Sequence, residues 1–119
     1  MAVEVSYVEG STLPDLEVWW PDPDGSGDLV DFSTGYTFSV VVGRRSAVEF
    51  TKSSGLTGAA GSGDGSEPAD VPNLTVQWSA SDLGALTPGL YTLELVATRD
   101  GDSRVRRRQA RLRIERSVA

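Results

Sequence analysis

The chain contains no cysteine and no histidine, and Lys52 is its single lysine against ten arginines. Without cysteine there can be no disulfide and no thiolate metal site. Without histidine the usual acid/base group near neutral pH is missing, and so is the commonest metal ligand. No apolar run approaches the ~20 residues that cross a bilayer as a helix, so no membrane partner is expected. The opening stretch, MAVEVSYVEGSTLPDLEV, is acidic and alternating, with neither a basic start nor an apolar block. It does not read as a secretory leader, and the expectation is a product made in the cytoplasm. A length of 119 residues suits one domain, 1–119, with a core large enough to fold without staples.

What is present is alternation. Apolar residues recur at every second position, and no helical period is sustained. Val3, Val5 and Tyr7 share a face, as do Leu16, Val18 and Trp20. Tyr36, Phe38, Val40 and Val42 form a third set, and Val48 with Phe50 a fourth. Leu74, Val76 and Trp78 follow, then Tyr91, Leu93, Leu95 and Ala97, and finally Ala110, Leu112 and Ile114. These segments are separated by turn chemistry such as PDPDGSGD, STG, TPG and RDGD. The spacing predicts about seven strands in an all-β, immunoglobulin-like antiparallel sandwich, with Trp78 buried between the sheets. ASDLG can supply one helical turn. Val105 is out of phase with Ala110, which predicts a bulge near residues 106–109. The Gly-rich stretch 53–72 has no apolar period and reads as a long loop that needs something to hold it, such as a neighbouring subunit.

Charge is unevenly spread. Residues 1–43 hold eight acids and no base, whereas 99–119 hold eight arginines and three acids. The two ends either pair internally or offer opposite poles to other copies.

Three stretches invite chemistry. In WWPDPDGSGD, residues Asp22, Asp24, Ser26 and Asp28 alternate as calcium ligands do. The glycine comes fourth rather than sixth and position twelve is Ser33, so a hairpin between Trp20 and Leu29 is the reading, with no metal. Trp19 points away from Trp20. It is an interface anchor or packs under a neighbouring loop; stacking on sugar is the weaker alternative. RVRRRQARLRIER lacks interleaved aromatics in an acidic chain, so it reads as a solvated outer face or an intersubunit salt-bridge seam rather than a nucleic-acid stripe. GAAGSGDGSE lacks the GK[ST] of a phosphate loop. NLT at Asn73 fits a glycosylation triplet but falls in a core strand. No catalytic, cofactor or metal residue is nominated, and no enzyme activity is expected. The interface candidates are Trp19, Arg106, Arg107, Arg111 and Arg113.

The pair DPDGSGDLVDFSTGYTFSVVV and PNLTVQWSASDLGALTPGLYTLELVATRDGDSRVRR resembles the N-terminal immunoglobulin-like domain of phage baseplate upper proteins and related small tail proteins. The likeness covers about residues 13–115. It implies a virion structural part, in the tail, baseplate or head–tail region, without catalytic residues or cofactor. Its implied partners are other virion proteins and copies of itself, as a homo-oligomer within an assembly, with no nucleic acid. The alternatives from other classes are a carbohydrate-binding or adhesive module and a capsid decoration protein.

Overall fold

The computed structural model describes residues 3–12, 14–23, 26–45, 47–84 and 86–116. Among them are eight strands and one short helix. The strands are β1 (Val3–Val8), β2 (Leu16–Val18), β3 (Tyr36–Arg44), β4 (Ala47–Lys52), β5 (Leu56–Gly58), β6 (Leu74–Val76), β7 (Gly89–Arg99) and β8 (Val105–Glu115). The helix, α1 (Ala80–Leu83), is the turn expected at ASDLG. The chain is all-β. One sheet has five strands in the order β1-β8-β7-β3-β4, and the other has three in the order β2-β6-β5.

Two expectations need correcting. The large sheet is mixed rather than antiparallel, because β1 runs parallel to β8, with Val3 opposite Ala110 and Val8 opposite Glu115. The count rises to eight because β5 forms inside the Gly-rich stretch and pairs with β6.

The alternation explains the core. Tyr91, Leu93, Leu95 and Ala97 of β7 face inward with Ala110, Leu112 and Ile114 of β8, and meet Leu74 and Val76 of β6 from the other sheet. Burying such side chains is worth about 1.5–3 kcal/mol each, so this shared layer holds the two sheets face to face. Phe32 joins them through edge-on contacts to Trp20, Tyr36 and Phe38, with ring centres 5.4, 4.9 and 5.2 Å away. Gly58 allows that approach. A Cβ there would sit 2.1 Å from the Phe32 carbonyl oxygen.

Trp78 is buried, as expected, at 6 % exposure. Its Nε1–H donates to the Tyr7 hydroxyl at 2.9 Å, and that hydroxyl donates to the Pro14 carbonyl at 2.7 Å. Burial, acting first, raises the pKa of Tyr7, which keeps it a donor.

The bulge lies elsewhere than expected. β8 pairs with β7 in unbroken register from Val105 to Ile114. Val105 is simply exposed, and Arg106 and Arg108 occupy the inward phase that leads to Ala110. The shift falls between Val42 and Gly43, where β3 meets β4. It separates Val48 from Phe50: Val48 pairs with Gly43 and is 66 % exposed, while Phe50 pairs with Val42 and is half-buried.

Candidate interaction surface

The WWPDPDGSGD stretch forms a hairpin-like return. Pro21 and Leu29 make an antiparallel bridge, the Asp22 N–H donates to the Asp28 carbonyl, and the Val30 N–H donates to the Trp20 carbonyl. Asp24 of the calcium comparison lies outside the described residues. Among the described residues no three acids are grouped to hold a metal ion.

Asn73 holds the base of this return. It is fully buried. Its Oδ1 accepts from the Trp20 N–H at 2.7 Å, and its Nδ2 donates to the Trp20 and Val30 carbonyls at 2.9 and 2.8 Å. Each donor and acceptor of the amide is used, as a buried polar group requires. A buried side chain of this kind is not a glycan acceptor in the folded protein.

Trp19 is half-buried beneath its own chain. Its Nε1–H donates to the Ser62 carbonyl at 3.1 Å, and a Cβ at Gly65 would come within 2.8 Å of the indole ring. The stretch 53–72 therefore needs no second subunit to order it. Ser62 and Val71 bridge antiparallel. Asp70 Oδ2 accepts from the backbone N–H groups of Asp64, Gly65 and Glu67. A carboxylate gathering successive N–H groups fixes a turn that glycine alone would leave loose.

The loop and the hairpin together enclose a shallow depression of about 720 Å³, bordered by Asp28, Asp31, Asp64, Glu67 and Asp70. Among the described residues no arginine or lysine borders it. Hydrogen bonds from the hydroxyl and then the N–H of Ser33 hold Asp31 below the usual carboxylate range. Ser66 does the same for Asp64.

The arginines lie on other surfaces. Arg107, Arg111 and Arg113 occupy the outward phase of β8 and are exposed. Arg107 pairs with Glu94 at 2.8 Å, and Arg111 stands opposite Glu4 in register. Arg106 is turned to the other face and half-buried. Thus three of the four nominated arginines share a face, whereas Arg106 and Trp19 do not join it.

Two polar features escaped the sequence reading. Lys52 is buried at the end of β4 with its Nζ 2.7 Å from Asp82 Oδ2. Arg108 is half-buried and donates from Nη1 to the Trp19 carbonyl at 2.9 Å. The phase of Lys52 with Phe50 was the available signal for the first. The phase of Arg108 with Ala110 was the signal for the second.

Comparison with protein-family models, with curated proteins and with solved structures finds no match.

Proposed function

We propose that the chain is an immunoglobulin-like sandwich that works by protein–protein assembly, as a structural part of a bacteriophage particle. The arrangement supports the fold reading in two ways. A first strand parallel to the last, beside strands joined as hairpins, suits an immunoglobulin-like order. The Tyr91 hydroxyl donates to the Thr87 carbonyl at 2.7 Å, as in the tyrosine corner of such domains. The phage setting rests on the resemblance of the sequence segments alone.

The observation that carries assembly is charge segregation. Among the described residues no base borders the acidic depression, while the outward side of β8 bears Arg107, Arg111 and Arg113. Two such surfaces on one molecule meet head to tail between copies, a contact that closes into a ring or extends a stack. Arginine suits this because its planar fork pairs bidentately with carboxylates. Each exposed pair contributes only about 0–1 kcal/mol, so several must act together. The sugar-binding reading loses ground because Gly65 covers part of the Trp19 ring.

The test is to change Arg111 and Arg113 to glutamate and follow self-association and particle incorporation. The expected result is loss of both, with association restored on mixing with a chain carrying Asp28→Arg and Glu67→Arg. Normal incorporation of a folded Arg111→Glu/Arg113→Glu variant removes the arginine face as the contact.

A further inference from the structure

The two sheets do not close on the side where β1 and β2 lie. β2 pairs with β6 on one side only, and β1 is likewise the end strand of its sheet. Between them runs a groove of about 310 Å³. Its apolar lining is Val5 from β1, Leu16 and Val18 from β2, Leu95 from β7 and Ala110 from β8, and the exposed acids Glu17 and Asp64 also line it. Arg108 lines its end.

Arg108 is the informative residue. Burial pulls its pKa below the ordinary arginine value. Its one described hydrogen bond goes to a neutral carbonyl, that of Trp19. Among the described residues no carboxylate pairs with it. A half-buried guanidinium without an anionic partner has given up hydration with little in return, and an arriving carboxylate gains most at such a group. Arg108 and Ala110 are two residues apart on one face of β8, so a charge-seeking position and an apolar position are set at strand spacing.

We propose that this groove receives an extended segment of another protein chain, which adds to the open edge of β2. Its inward side chains alternate, placing an acid over Arg108 and an apolar residue over Ala110. Backbone hydrogen bonds along β2 supply affinity, and the two inward positions supply specificity. The open strand edge, the apolar lining and the unpaired guanidinium call for the same occupant. The proposal rests on the assembly reading only in that the chain works by binding other chains. The arginine face tested above is a different surface, so either can fail alone.

The experiment uses the acetylated peptide Thr-Val-Thr-Glu-Thr-Val-Thr and its counterpart with Lys in place of Glu. Backbone amide shifts of the full chain are recorded during titration. The expected result is saturable shifts at residues 16–19 and 108–110, with the Lys peptide bound at least tenfold more weakly. Arg108→Gln should erase the preference between the peptides, and Ala110→Leu should fill the groove and abolish binding while the melting transition persists. Equal binding of both peptides overturns the proposal. So does the absence of shifts at millimolar peptide, or shifts confined to β4. Loss of the same amide signals with rising protein concentration and no peptide would make a second copy the occupant, and would also overturn it.

Discussion

Lys52→Met is the perturbation whose cost the geometry defines best. The Lys52 side chain is 4 % exposed and that of Asp82 is 16 %, with 2.7 Å between Nζ and Oδ2. Removing one partner of a buried pair costs about 3–5 kcal/mol, because the other charge is left uncompensated. Asp82 keeps some solvent and its bond from the Ser79 N–H at 2.8 Å, which places the loss near the lower end, about 3 kcal/mol. A domain of this kind holds only about 5–15 kcal/mol in all, so the variant should unfold at clearly lower urea. Replacing both residues, Lys52→Met with Asp82→Asn, keeps an acceptor for the Ser79 N–H and removes both charges. That double variant should return to within about 1–2 kcal/mol of the parent.

Acid supplies a second axis. Burial pushes the Asp82 carboxyl up, but the Lys52 ammonium, the Ser79 N–H and the Ser79 hydroxyl outweigh it, and the net shift is downward. A lowered carboxylate pKa adds stability that is fully present above its unfolded value, near 3.9, and is lost as pH falls through the folded value. The gap between parent and Lys52→Met should therefore be constant from about pH 7 to 5 and narrow below about pH 4. Urea unfolding followed by tryptophan fluorescence reads both, with the slope checked for constancy. A single-variant cost under about 1 kcal/mol, or a gap indifferent to acid, refutes the reasoning.

Trp78→Ala should cost about 3–5 kcal/mol in the same assay, whereas Trp78→Phe, which loses chiefly the bond to the Tyr7 hydroxyl, should cost about 1 kcal/mol. Asn73→Ala takes the amide partner from the Trp20 N–H and the Val30 carbonyl in the core, while the Trp20 carbonyl keeps the Val30 N–H; a loss of about 3 kcal/mol is expected, and urea stability equal to the parent would contradict the hub role. Trp19→Ala should raise amide hydrogen exchange across 62–71 far more than in β7 or β8, since the indole anchors that stretch through Ser62 and Gly65. Uniform exchange would show that Asp70 alone holds the loop.

The parts of the fold legible in the sequence were those written as apolar alternation. Tyr91 to Leu95 and Ala110 to Ile114 alternate without interruption, and both strands lie in the core with those faces inward. The direction of β1 left no such trace. Val3, Val5 and Tyr7 give the same pattern whether the neighbour runs parallel or antiparallel, and pairing with β8 is decided by the route of the chain. β5 was hidden because three residues bounded by glycines carry no period. Of the candidate surface, the outward phase of Arg107, Arg111 and Arg113 was readable. The engagement of Trp19 by Ser62 joins positions 43 residues apart, and nothing local encodes it. Lys52 and Arg108 were missed for one shared reason. Polar residues on an inward phase look like breaks in a pattern until their partners are known.

Those inward polar residues divide the labour between the two open sides of the molecule. At β4 the exposed strand edge carries a register shift at Gly43 and an inward lysine already satisfied by Asp82. Bulges and inward charges are the devices by which sheet edges resist pairing with other chains. At β2 the described strand pairs with β6 without a register break, and the inward charge beside it, Arg108, pairs with no carboxylate among the described residues. One edge is thus built to refuse a strand, and the other is arranged so that the strand it lacks would complete an ion pair. Under the two proposals a partner's strand enters at β2, β4 stays outside the contacts, and the outward arginines of β8 lie on a different surface. Moving the devices should move the preference: Val18→Lys, which sets a second inward charge at the β2 edge, should block peptide addition there, while Lys52→Met should not open β4 as long as the register shift at Gly43 persists. Amide shifts appearing along β4 in Lys52→Met would show that the lysine, and not the bulge, guards that edge.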